Sequence, residues 1–167
     1  MKNKILLLIL FVFSISCFAQ TNENKEKFFK TTIKNITLNV PMGFEAIQNQ
    51  DGFLHKGSAS TLMINEVSNS PFSFSASYFD AKNLEKDGAK LIEQQNVKTA
   101  SGMDAILFTL SLSIKGQNDN PPVDFERMIL LTGNDNKTIC IVANYPVMIK
   151  KLIQETLKSS MLSVVIN

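Results

Sequence analysis

The stretch AILFTLSLSIK, residues 105–115, decides the fold. Ile106, Phe108, Leu110, Leu112 and Ile114 fall on one side of an extended chain, and Leu107, Thr109, Ser111 and Ser113 on the other. This period of two predicts a pleated β-strand, with one apolar face and one mostly hydroxylated face buried to different extents. Slipping its register by one residue would turn five large apolar groups toward water. The run ends at Gly116, and QNDNPPVD follows, with two prolines that cannot donate to a ladder. FERMILL (125–131) reads as a second strand, TGNDN (132–136) as a compact turn, and KTICIVANY (137–145) as a third strand rich in β-branched residues. Short connections make this an antiparallel meander.

Outward from the meander, ITLNV places Ile36, Leu38 and Val40 on one face before Pro41-Met42-Gly43-Phe44 interrupts it. Phe53–Lys56 and Ala59–Val67 read as further strands. Phe74, Tyr78, Phe79 and Leu84 recur at helical spacing, and Gly88 suits the helix end because it can take a left-handed conformation. AKLIEQQNVK (89–98) is expected to be a strand, turning through Thr99–Gly102 into the meander. After Pro146, the residues Ile149, Leu152, Ile153, Thr156, Leu157, Ser160 and Met161 form the stripe of an amphipathic helix that docks on the sheet. Leu162–Ile166 is a short terminal segment.

The N-terminus is of another kind. Lys2 and Lys4 precede nine apolar residues, Ile5 to Phe13, and a short segment ends at Ala19. Nine are too few to span a bilayer, which needs roughly 20, so residues 1–19 are expected to be a signal peptide cleaved after Ala19. In the competing reading Cys17 becomes a lipid-modified N-terminus, but Ser14-Ile15-Ser16 lacks the large aliphatic residue usual three places before such a cysteine. Residues 20–32 are expected to be a flexible leader and 33–167 a single α/β domain. The expected destination is therefore periplasmic or extracellular.

The signal segment carries two of the 17 basic residues and none of the 15 acidic ones, so the remaining chain is close to neutral. With Arg127 its only arginine, it lacks the electrostatic footprint of a nucleic-acid binder. Cys140 is left without a disulfide partner and reads as a small hydrophobe in a strand. His55 is the only histidine, so neither a triad nor a multi-histidine zinc site can form within one chain. The sequence contains no G-x-S-x-G, C-x-x-C, phosphate-binding loop or G-x-G-x-x-G.

The oxygen-rich triplets Asn118-Asp119-Asn120 and Asn134-Asp135-Asn136, with Asp124 and Glu126, invite a calcium reading. The meander puts them at opposite ends of its second strand, about 27 Å apart, and neither has calcium-loop spacing, so polar turns are expected. The sequons at Asn35 and Asn136 are treated as chance. Phe72, Phe74, Tyr78 and Phe79 could make a partner-binding patch, but at helical spacing beside a sheet they are expected in the core.

Three stretches carry a family resemblance: NITLNVPMGF (35–44), GAKLIEQQ (88–95), and NYP with the final helix (144–161). Together they resemble the PsbP-like superfamily, over roughly residues 33–166. Phe44 stands where that family usually has tryptophan. The resemblance implies an α+β fold, an antiparallel sheet flanked by helices in an α/β/α sandwich. The family includes photosystem accessory subunits, a Ran-binding nuclear import factor and exported bacterial lipoproteins, most thought to bind or assist other proteins. The expectation is therefore an exported, non-catalytic binding or accessory protein of the cell envelope, with an envelope protein as partner. No catalytic residue, metal or cofactor is expected, and the binding residues are not identified by sequence. The alternative is a carrier of a small apolar ligand between helix and sheet, which would need an apolar cavity of roughly 300 Å³ or more.

Overall fold

A computed structural model describes residues 27–79, 81–86, 88–115 and 121–167. Residues 1–19, where a signal peptide is expected, with Cys17 among them, and the triplet 118–120 lie outside the described residues. The strands are β1 (Phe28–Ile33), β2 (Ile36–Pro41), β3 (Glu45–Ala46), β4 (Gly52–His55), β5 (Ser60–Ser68), β6 (Lys90–Lys98), β7 (Asp104–Ile114), β8 (Val123–Gly133), β9 (Lys137–Pro146) and β10 (Val165–Ile166). The helices are α1 (Phe72–Tyr78), α2 (Ala81–Lys86) and α3 (Lys150–Leu162), the last entered through a 3-10 turn at Val147–Ile149.

Seven strands form an antiparallel sheet in the order β3-β4-β5-β9-β8-β7-β6, with the expected meander β7-β8-β9 inside it. A separate three-stranded sheet, β1-β2-β10, covers part of one face together with α3. The other face carries α1 and α2, completing an α/β/α arrangement. Among the described residues, no helix is long and apolar enough to cross a membrane.

The main core lies on the face with α3. Leu62, Ile64, Leu107, Met128, Leu130, Ile139, Ile141 and Tyr145 meet Ile36, Leu38 and Val40 from β2 and Leu157 and Met161 from α3. A smaller core of Phe108, Leu110, Ile129 and Leu131 packs beneath Phe72, Ala76 and Phe79. Strand β7 therefore feeds two cores, and its hydroxyl face serves the larger one. Leu107 and Thr109 are buried there, whereas Ile114 on the apolar face is 48% exposed because the strand runs past the helices that cover its middle.

Four expectations change. Residues 28–32, expected in the leader, form β1 together with Ile33, because Phe29, Thr31 and Ile33 alternate inward and β1 pairs with β2 over its whole length. The helical stretch before Gly88 is two short helices, with Phe79 ending α1 and Gly88 (φ +76°) following α2. Leu152 is 82% exposed and does not belong to the docking stripe of α3, which buries Leu157, Ser160 and Met161. Strand β6 forms as expected but bulges between Leu91 and Glu93, turning Ile92 outward at the sheet edge.

Candidate functional site

Helix α1 is built by its hydroxyls as much as by its apolar residues. Pro71, extended at φ −56° and ψ 143°, starts it, and the Phe72 N–H donates to the Asn134 carbonyl in the β8–β9 turn at 3.0 Å. Thr138 Oγ1 donates to the Ser70 carbonyl at 2.9 Å, so it accepts from Ser75 Oγ at 2.8 Å, and Ser75 in turn accepts from Ser70 Oγ at 3.0 Å. This chain pins one side of the helix to β9. Phe72, Ala76 and Phe79 turn inward, and Phe79 stacks on Phe108 with ring centroids 5.3 Å apart.

The same rotation sends Phe74 and Tyr78, one helical turn apart, into solvent at 64% and 69% exposure. They are not core, and that expectation is corrected: the four aromatics divide two and two, because Ser75 rather than Phe74 faces the sheet. Phe74, Tyr78 and Val67 (46% exposed) rim a groove of about 200 Å³ floored by Leu131, Thr138 and Cys140. An apolar groove beneath exposed aromatic rings is what a partner's apolar side chain can fill.

The floor is chemically quiet. Burial pushes the Cys140 thiol up to about 11, and the positive charge of Arg127 offsets this only in part. A thiol so placed stays protonated, and the thiolate is the nucleophile. Arg127 itself donates through Nε to Asn144 Oδ1 at 2.7 Å, and Asn144 donates onward to Thr61.

His55 is structural. Ser58 Oγ donates to Ser60 Oγ at 3.0 Å, so the His55 Nδ1–H donates to Ser58 Oγ at 2.8 Å, the reverse of what activating a serine requires. The ring packs on Phe44 at 5.4 Å and against Gly43, whose φ of +87° is a left-handed conformation. The PMGF stretch is thus a packed corner.

In the second oxygen-rich triplet, Asn134 Oδ1 accepts from the N–H groups of Asn136 and Lys137 at 2.9 and 3.1 Å, so it closes the turn. Glu126 is occupied by Tyr145 and Lys150, and Asp124 is exposed on the same strand. No group of three or more His, Cys, Asp or Glu side chains that could hold a metal ion occurs among the described residues. A depression of about 550 Å³ between α3 and the β6–β7 turn is larger than the α1 groove, but Asn39, Lys98, Glu155 and Lys158 line it, unlike an apolar carrier site.

Sequence comparison identifies nothing: no family profile and no curated protein sequence matches the chain. Structure comparison does. The cyanobacterial PsbP protein CyanoP from Synechocystis sp. PCC 6803 superposes with a TM-score of 0.57 at 10% identity, over 84% of this chain and 93% of that one. PA94 from Pseudomonas aeruginosa, a protein of unknown function, gives 0.55 at 14% identity over 84% and 97%. The Saccharomyces cerevisiae Ran-binding protein Mog1p gives 0.54 at 12% identity over 83% and 95%. The chain has the α+β fold of PsbP and Mog1p, and its resemblance to the PsbP-like superfamily is a resemblance of fold.

Proposed function

We propose that this is a non-catalytic binding or accessory protein that acts through protein–protein contact, exported by its N-terminal segment to the cell envelope. The observation that carries this reading is the exposed pair Phe74 and Tyr78 over the apolar groove. Two large aromatic rings held on a short, pinned helix lose little conformational freedom on binding and bring large contact area, as interface anchors do. The fold is compatible, since Mog1p, which shares it, is a Ran-binding protein. Fold alone does not transfer function, so the site residues bear the argument.

The groove also favours a protein over a carried ligand. At about 200 Å³ it falls below the roughly 300 Å³ that small-molecule sites begin at, and its aromatic rim stands outward instead of closing over a guest.

The test is crosslinked affinity capture from gently solubilised envelope, comparing the wild-type chain with a Phe74→Ser/Tyr78→Ser variant shown to be folded. A stoichiometric protein adduct lost in the variant supports the reading. No adduct, or one captured equally by both, overturns it. The same spectra report export: a mature chain starting at Gln20 means cleavage after Ala19, and a lipidated Cys17 means a membrane tether.

A further inference from the structure

Helix α3 is held unevenly. Its buried residues, Leu157, Ser160 and Met161, all lie in its second half. That half is also tied by hydrogen bonds: Ser160 Oγ donates to the Asn39 carbonyl at 2.5 Å, the Asn39 N–H to Ser163 Oγ at 2.8 Å, and the Ala100 N–H to the Leu162 carbonyl at 2.7 Å. The first half contributes Ile153, only half-buried, and the preceding turn adds Ile149. No side chain caps the helix start, and its first turn contains no acid.

That start instead carries Lys150 and Lys151, cations where the helix dipole disfavours them. Lys150 answers this by reaching Glu126, whose side chain on β8 is only 7% exposed, at 2.7 Å. The second oxygen of Glu126 accepts from the hydroxyl of the buried Tyr145 at 2.7 Å. Burial, and then the carboxylate of Glu126, push the Tyr145 phenol up, so it stays a donor. Glu126 is met by Tyr145 from β9, Lys150 from α3 and, on β7, its uncharged cross-strand neighbour Ser111, while the charge of Glu155 on α3 acts on Tyr145.

Just before this pair, Val147 and Met148 stand 41% and 87% exposed, and with Pro122, Val123 and Asp124 they enclose a depression of about 420 Å³. We infer that Glu126 and Lys150 form a charge latch that holds residues 147–154 on the sheet and so shapes this depression. The second half of α3 is the fixed end, and the latched half is the movable one.

Amide hydrogen exchange on the full chain tests this with two variants, Glu126→Gln and Lys150→Met. Each is expected to raise exchange at Ile153–Thr156 by roughly tenfold or more, while Met161–Ser163 and β8 change by less than about threefold. Unchanged exchange at Ile153–Thr156, or a rise shared equally by both halves of α3, overturns the latch.

Discussion

Replacing Gly43 with alanine tests the physical account of the PMGF corner. Gly43 sits at φ +87°, where a side chain costs about 1–2 kcal/mol. The new Cβ would also lie 3.1 Å from both Cδ2 and Nε2 of His55. That ring has little room to retreat, being pinned by Ser58 at 2.8 Å and packed on buried Phe44. Pushing it off its rotamer adds about 0.5–1.5 kcal/mol. Gly43→Ala should therefore cost about 1.5–3.5 kcal/mol, seen in urea unfolding as a lower midpoint with an unchanged slope. In a His55→Ala background only the backbone cost remains, so the same substitution should cost about 1 kcal/mol less. An equal cost in both backgrounds, or less than about 1 kcal/mol in the wild type, would refute the reasoning.

Two further outcomes follow from burial. The Cys140 thiol, held protonated by its surroundings, should resist alkylation at pH 8 in the folded protein and react on unfolding. Its folded value, about 11 against an ordinary 9.0, contributes stability that is present below pH 9 and is lost as pH rises through 11, up to about 2–3 kcal/mol. Cys140→Ala should flatten that alkaline slope in pH-dependent urea titrations, and an unchanged slope would contradict it. On α3, Leu157→Ala should cost about 2–5 kcal/mol and Leu152→Ala no more than about 0.5 kcal/mol, since the first is fully buried and the second 82% exposed. Similar losses of thermal stability from both would contradict the docking face assigned to the helix.

Much of the fold was legible in sequence, because strands with one dominant periodicity announce themselves. Residues 105–115 alternate so regularly that β7 could hardly be anything else, and its turn-bounded neighbours follow. Phe28–Ile33 was passed over because its two threonines and one lysine lie beside a charged leader, and only pairing with β2 makes it a strand. The aromatic helix was misread for a different reason. In seven residues, Phe74 and Tyr78 define one face as well as Phe72, Ala76 and Phe79 define another. What selects the buried face is the hydroxyl chain from Ser75 to Thr138, a partner 63 residues away that no local periodicity reports. Leu152 is a similar case, continuing an apolar stripe that the sheet does not reach. The packing of His55 against Gly43 is likewise not written in the local sequence, because the two meet only when the corner closes.

The most direct test of the central claim, recognition through α1, is a photo-reactive residue at position 78 in the full chain, activated in intact cells. The account predicts one dominant protein adduct at this position, absent when the probe stands at the exposed Lys30 of β1 and lost when Phe74 is changed to serine. No adduct at position 78, or the same adduct from both positions, would contradict it.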